Sequence, residues 1–280
     1  MSFPYLTDVL HAVGINIPLP VPTFGLLVGA AFFTGKWLAE VESRRVLPAA
    51  PPDFMGNACI VAFLAGLFGA RLFHLLEYPR EFLEHPAAML FSRSGFTIFG
   101  GLIVGAIAAA WYARRKGVSP IAMLDAAAPG LMLAYAIGRV GCQVSGDGDW
   151  GIPVSGPAPA WLPDWLWAQT YENNIAGAVI PPPGVYPTPI YETLMSLAAF
   201  AILWRLRRHA HATGWLFGVY LLLAGIERFA VEPIRVNSTY SLFGAQVTQA
   251  QIIAVSCIVA GIVLMWLRQN PRDSRSPATK

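Results

Sequence analysis

The chain has 280 residues, of which 55% are hydrophobic and only 12% are charged. A soluble domain carries about twice that charged fraction, so the composition excludes an ordinary soluble protein and predicts an integral membrane protein. The formal net charge of only +3 gives no reason to expect a nucleic acid as a partner.

Seven segments are long and apolar enough to be predicted as membrane-spanning helices, because a helix needs about 20 such residues to cross the hydrocarbon core. In chain order they cover residues 23–39, 56–76, 96–113, 121–143, 189–206, 214–231 and 249–267. The pattern predicts an all-α integral membrane protein with about seven transmembrane helices. We expect residues 1–280 to form a single polytopic membrane domain.

Basic residues follow the odd-numbered segments, and the positive-inside rule places such clusters in the cytoplasm. These clusters contain Arg44, Arg45, Arg114, Arg115, Lys116, Arg205, Arg207, Arg208, Arg268, Arg272, Arg275 and Lys280. The N-terminus is therefore predicted to lie outside and the C-terminus in the cytoplasm.

Three stretches lie outside the predicted spans. Residues 147–186 are rich in proline and tryptophan, which predicts a small extracytoplasmic cap on the outer leaflet. Residues 78–94 are predicted to form a second interfacial piece, such as an amphipathic helix. Residues 270–280 are polar and predict a disordered cytoplasmic tail.

A glycine-rich polar stretch, residues 138–151, closes the fourth segment. A charged side chain at the bilayer centre costs ~2.5–3.5 kcal/mol, so Arg139 is either functional or extends to the headgroups. Backbone N–H groups of a glycine-rich turn, together with a guanidinium, suit a phosphate. The candidate site residues here are Arg139, Gly141, Cys142, Ser145, Asp147, Asp149 and Gly151.

A second charged cluster closes the sixth segment. Arg228, Glu232 and Arg235 are spaced four and three residues apart, which places them near one helix face. We interpret them as an anion site, and the alternative is an ion-pair network that neutralises itself. Glu227 points away from this face and is expected to pair with a neighbouring helix. Pro233 is expected to break or kink the helix.

Two shorter stretches complete the set of candidates. Tyr191 and Glu192, at the start of the fifth segment, either contribute to a headgroup site or belong to a helix cap. Gly100 and Gly101, in the third segment, either contact substrate or allow close packing of two helices.

These four stretches, taken in chain order, resemble the motifs of the prolipoprotein diacylglyceryl transferase family. The family's G-R-x-G pattern is similar to residues 138–141, and its following acidic pattern is similar to residues 147–151. Its Y-E pair is similar to residues 191–192, its G-G-L pattern to residues 100–102, and its G-x-x-R-F-x-x-E-x-x-R pattern to residues 225–235. The resemblance covers nearly the whole chain.

The resemblance implies an enzyme that moves diacylglyceryl from phosphatidylglycerol to the lipobox cysteine thiol of a preprolipoprotein and releases glycerol phosphate. Arg139 and Arg228 are then expected to hold the phosphate, and Asp147, Asp149 or Glu232 to accept the thiol proton. The implied setting is the bilayer of the bacterial inner membrane, with the active site on the extracytoplasmic side. A monomer without metal or organic cofactor is expected.

Four positions depart from the family's pattern. The family's histidine is Phe99 here, two of its tyrosines are Ala224 and Phe24, and its asparagine is Cys142. These departures leave open an alternative, a non-catalytic or substrate-switched homologue that binds phospholipid or lipoprotein. Cys142 lies three residues after Arg139 and is either a covalent relay or a small side chain in the asparagine's place. The polar groups gather at one membrane face, which argues against a transporter.

Overall fold

The structure, a computed structural model, describes residues 2–92, 95–208, 212–237, 239–242 and 245–269, and most of them are helical. The helices are α1 (Leu6–Ala12), α2 (Thr23–Val46), α3 (Phe54–Glu77), α4 (Pro79–Glu84), α5 (Pro86–Phe91), α6 (Ile98–Arg115), α7 (Pro120–Ser145), α8 (Asp164–Trp167), α9 (Thr188–Leu206), α10 (Trp215–Val231) and α11 (Gln249–Leu267). A 3₁₀-helix, Glu232–Ile234, follows α10. The strands β1 (Thr239–Leu242) and β2 (Ala245–Thr248) pair antiparallel.

Each of the seven predicted apolar segments corresponds to one long helix. The predicted ends agree with the observed ends to within two residues, except that α2 continues seven residues further. The extension is charged, and its side chains pair along the helix, with Lys36 Nζ 2.6 Å from Glu40 Oε1 and Arg45 Nη2 2.6 Å from Glu42 Oε2. Hydropathy alone cannot detect a polar helical turn of this kind.

Four helices, α2, α3, α7 and α11, have the length and apolar composition of a membrane span. Large apolar side chains on them are exposed, such as Phe33 (69%), Phe68 (66%) and Trp266 (68%). Such surfaces are stable in contact with lipid and not with water. The protein is therefore a mostly helical membrane protein.

The structure adds detail to two parts of the sequence prediction, and a third part lies outside the described residues. The β1–β2 hairpin adds a small sheet to a fold that was predicted to be all-α. Within the stretch predicted to be interfacial, Pro79–Glu84 and Pro86–Phe91 form the two short helices α4 and α5, each with a proline at its first turn. Their position at the membrane interface stays a prediction. The predicted tail, residues 270–280, lies outside the described residues.

The chain divides into two compact units, and the boundaries fall within α2 and within α7. One unit is Lys36–Ala127, in which α3 packs closely on α6. A Cβ on Gly100 would lie 2.4 Å from the carbonyl oxygen of Gly69, and a Cβ on Gly101 would lie 3.2 Å from that of Gly66. Both glycines thus serve close helix packing, as one of the two interpretations expected. Their contact with substrate stays a prediction.

Replacement of Gly100 by alanine is expected to lower the free energy of unfolding by about 1–3 kcal/mol, because the new methyl group overlaps the backbone of α3. Gly29→Ala is the matched control, since no described atom lies within 4 Å of a Cβ at that position of α2. Unfolding of the two variants in detergent should separate them. Equal stability of the two variants would contradict the packing described for Gly100.

The other unit contains Met1–Gly35 and Ala128–Lys280. Its helices α10 and α11 approach closely at Gly218, Gly225 and Gly261, where an added Cβ would lie within 3.0 Å of the facing helix. Helix α10 ends at Val231, and Pro233 lies in the 3₁₀-turn that follows, as predicted. The end of α10, the end of α7 and the start of α9 carry the candidate residues described next.

Candidate functional site

The carboxylate of Glu192 lies in α9 and is fully buried, with 0% of its side chain exposed. Three guanidiniums contact it. The Nε of Arg139 lies 3.3 Å from Oε2, the Nη1 of Arg228 lies 3.5 Å from Oε1, and the Nη1 of Arg235 lies 3.1 Å from Oε2. We call Arg139, Arg228 and Arg235 the arginine cluster. Arginines from two distant parts of the chain therefore converge on one point.

A second carboxylate, that of Asp149, bridges two members of the arginine cluster. Its Oδ2 pairs with Arg139 Nη1, and its Oδ1 lies 2.7 Å from Arg235 Nη2. Burial by itself would raise the pKa of Asp149, but the two guanidiniums outweigh burial and hold that pKa below its ordinary value. Asp149 is therefore ionised at neutral pH.

The third carboxylate, that of Glu232, pairs with the remaining member of the arginine cluster. Arg228 Nη2 lies 2.7 Å from Glu232 Oε2, as their spacing of four residues predicted. Asn237 Nδ2 donates to Glu232 Oε1 over 2.8 Å. Three arginines thus face three carboxylates.

Backbone contacts hold the loop after α7 against the segment after α10. Gly151 forms an isolated antiparallel bridge with Arg235, and the N–H of Ile152 donates to the carbonyl of Ile234 over 2.8 Å. A Cβ on Gly151 would lie 2.5 Å from the carbonyl oxygen of Ile234, so glycine is required for this approach. Gly151 therefore positions Arg235 beside Asp149.

Cys142 and Asp147 lie at the edge of the arginine cluster. The thiol sulfur of Cys142 lies 3.7 Å from Arg139 Nη1, and its side chain is mostly buried. Asp147 Oδ1 accepts a hydrogen bond from the N–H of Asp149 over 3.2 Å. Ligand atoms of Cys142, Asp147 and Asp149 lie within 4.8 Å of one another, as a metal site would need. Arg139 already supplies the positive charge at this position, so we assign no metal there.

Three predicted site residues make structural contacts instead of contacts with the arginine cluster. Ser145 is fully buried, and its hydroxyl donates to the carbonyl of Gly141 over 2.8 Å. A Cβ on Gly141 would lie 3.3 Å from the side chain of Leu27 on α2. The Tyr191 hydroxyl donates over 2.6 Å to the carbonyl of Leu166 in α8, so it attaches the loop region of residues 147–186 to α9.

Two polar contacts near the cluster had no part in the sequence prediction of the site. The hydroxyl of Tyr135 accepts a hydrogen bond from Arg139 Nε over 3.0 Å and lies 3.4 Å from Glu192 Oε1. Its spacing of four residues before Arg139 could have indicated it. The buried Glu227, which was expected to pair with a neighbouring helix, has its Oε1 2.8 Å from the hydroxyl of Ser196 on α9.

Comparison with known proteins shows what the chain as a whole is similar to. The sequence model of the prolipoprotein diacylglyceryl transferase family matches residues 11–267. A protein of Bacillus cereus (strain 03BB102) named phosphatidylglycerol–prolipoprotein diacylglyceryl transferase is 30% identical over 274 residues, which are 96% of this chain and 94% of that protein. Proteins of the same name from Bacillus thuringiensis subsp. konkukian and Bacillus anthracis show the same identity and coverage. The matched region includes the whole arginine cluster.

Proposed function

The chain belongs to the prolipoprotein diacylglyceryl transferase family, and from this premise we propose that it is a transferase acting on phosphatidylglycerol and a prolipoprotein. The diacylglyceryl group is joined to the phosphate through the oxygen on one methylene carbon. The thiolate of the lipobox cysteine attacks this carbon. A C–S bond forms, the C–O bond to the phosphate breaks, and glycerol phosphate leaves with the electron pair.

The observation that carries this proposal is the arginine cluster. Arg139, from the end of α7, and Arg228, from the end of α10, both contact the same Glu192 carboxylate. The leaving group gains negative charge as the C–O bond breaks, and fixed guanidiniums stabilise that charge more in the transition state than in the ground state. We propose that Arg139 and Arg228, together with Arg235, act in this way.

A base must accept the thiol proton, because a free thiol with a pKa near 8.5 is only a few per cent ionised at neutral pH. Glu192, Asp149 and Glu232 are each held by at least one guanidinium. No described ion pair involves Asp147, which lies beside Cys142. We therefore propose Asp147 as the base, and the proton then passes to solvent. Cys142 fills space next to Arg139 and takes no covalent part.

The proposal also includes how the chain lies in the membrane. The long helices α6, α9 and α10 are proposed to span the membrane with the four apolar ones, which gives seven crossings of one polytopic domain. The basic ends of the odd-numbered segments support a cytoplasmic C-terminus, and we propose that the arginine cluster lies on the extracytoplasmic side of the bacterial inner membrane. Residues 147–186 are proposed as a cap on that side. A monomer acting on lipobox cysteines is the simplest form.

The departures at Phe99, Ala224 and Cys142 support a second candidate, a homologue that binds phospholipid or lipoprotein without transfer. Expression of the chain in a bacterial strain depleted of its own transferase separates the two. We expect growth to be rescued by the wild-type chain and lost with Arg139→Ala and with Arg228→Ala, each shown to be inserted in the membrane. A wild-type chain that is stably inserted and gives no rescue would favour the binding homologue.

A further inference from the structure

The carboxylate of Asp149 occupies the position between two guanidiniums. It pairs with Arg139 Nη1 through one oxygen and lies 2.7 Å from Arg235 Nη2 through the other. A phosphate bridges two arginines in the same manner, since two of its oxygens accept hydrogen bonds from two separate N–H donors. The side chain of Asp149 therefore has the geometry of a bound anion, although it belongs to the chain itself.

Exposure distinguishes Asp149 from the other two carboxylates of the site. Its side chain is 36% exposed, whereas those of Glu192 and Glu232 are 0% exposed. Glu192 lies within α9, and protein encloses its carboxylate on all sides. Asp149 lies in the loop after α7, on the side of the cluster that an external molecule can reach.

The charges of the site give a second reason to single out Asp149. With all three carboxylates in place, every guanidinium of the arginine cluster is paired, and an incoming phosphodiester meets no unpaired positive charge among them. Departure of the Asp149 carboxylate takes one negative charge away from the arginine cluster and frees N–H donors on Arg139 and Arg235. A phosphate and the Asp149 carboxylate therefore compete for the same donors.

We propose that the phosphate of the lipid binds between Arg139 and Arg235 at the position of the Asp149 carboxylate, and that Asp149 is an internal competitor of the substrate. This inference rests on the proposed function, because it names the groups that take the phosphate. It also assigns Arg235, together with Arg139, as a direct ligand of the phosphate. Arg228 remains paired with Glu232 in the substrate-free site.

Displacement of Asp149 requires rotation of its side chain only. The carbonyl of Asp149 accepts a hydrogen bond from Thr188 Oγ1 over 2.7 Å, and its N–H donates to Asp147 Oδ1 over 3.2 Å. These two bonds hold the backbone while the carboxylate turns toward solvent. The loop therefore keeps its position when the phosphate enters.

Binding of glycerol 1-phosphate and of inorganic phosphate to the purified full chain in a neutral detergent tests the proposal by calorimetry. Asp149→Asn is expected to bind both anions about tenfold tighter or more, because a negative charge next to the site is removed. Asp149→Glu keeps the charge and should bind no tighter than wild type. Glu172→Gln removes an exposed charge in the same unit and should leave both affinities unchanged.

With the same variants, the rate of transfer is measured as a function of the mole fraction of phosphatidylglycerol in mixed micelles. This measurement shows whether the site binds the lipid headgroup or only a free phosphate. A lower KM for the lipid in Asp149→Asn is the expected result. Equal or weaker anion binding by Asp149→Asn would overturn the proposal and make Asp149 a ligand of the substrate instead. A third outcome is tighter anion binding by Asp149→Asn together with no diacylglyceryl transfer by the wild-type chain. It would support Asp149 as a competitor of the phosphate and reject the transferase function.

Discussion

Arg139→Lys is expected to lower kcat/KM for diacylglyceryl transfer by about 100- to 1000-fold, the loss that follows removal of one fixed donor from a site that stabilises negative charge. Arg139 uses Nε toward Tyr135 and Glu192 and Nη1 toward Asp149. A lysine keeps the positive charge, but a single ammonium cannot direct donors along all of these lines. Initial rates of transfer to a synthetic lipobox peptide in phosphatidylglycerol micelles measure the loss.

Arg115→Lys is the matched control for this substitution. Arg115 is exposed at the end of α6, where its guanidinium lies 5.3 Å from the ring centre of Trp111 and outside the arginine cluster. Its rate should stay within about twofold of wild type, because an exposed contact of this kind is weak. An Arg139→Lys protein that is correctly inserted and keeps more than a tenth of the wild-type rate would exclude Arg139 as a ligand of the phosphate.

Glu192→Gln is expected to lower the free energy of unfolding by about 3–5 kcal/mol, the cost of removing one partner from a buried ion pair. The glutamine leaves Arg139, Arg228 and Arg235 facing one another with one negative charge fewer. Because Glu192 is fully buried, bulk water does not contact this position and does not compensate for the lost carboxylate. Equilibrium unfolding in mixed micelles of increasing denaturing detergent measures the change.

Glu40→Gln shows what an ordinary ion pair contributes in the same protein. Glu40 pairs with Lys36 on α2, and about a quarter of each side chain is exposed, so its loss should cost about 1 kcal/mol or less. The double variant Glu192→Gln with Arg235→Gln should be less destabilised than the sum of the two single variants, because it removes a pair instead of one partner. If Glu192→Gln and Glu40→Gln had equal stability, Glu192 would not hold the arginine cluster together.

The helices of this protein could be predicted from the sequence because apolar composition over about 20 residues is a strong signal. The far end of α2 escaped prediction because charged residues there pair along the helix instead of facing lipid. The hairpin β1–β2 escaped prediction because two strands of four residues give no clear alternation. In both cases hydropathy gave no information about the structure that forms.

The members of the candidate site could also be predicted, but their partners could not. The contact between Arg228 and Glu232 follows from helical spacing, and the sequence indicated it. The contacts of Glu192 with Arg139 and Arg235 depend on how α7, α9 and α10 pack, which no local pattern records. For the same reason the sequence predicted that Arg139 and Arg228 hold the phosphate and did not include Arg235 in that pair. In the structure, Arg235 and Arg139 both contact Asp149.

The direction in which a side chain leaves its helix explains why other motif residues do not contact the arginine cluster. Tyr191 and Glu192 are neighbours in the chain, yet Tyr191 contacts α8 and Glu192 contacts the arginines. Successive residues of a helix differ in direction by about 100°. A motif therefore contains residues that form the site and residues that support it, and only the packed structure separates them.

A double-mutant cycle on Arg139 and Arg235 tests most directly whether two guanidiniums bind one phosphate. The quantity is kcat/KM for phosphatidylglycerol in wild type, Arg139→Lys, Arg235→Lys and the double variant. If each single change costs about 100-fold, the double variant should lose far less than the product of the two losses, because groups that act as a unit are not additive. A double variant whose loss equals that product would mean that the two arginines act independently and would contradict a shared phosphate site.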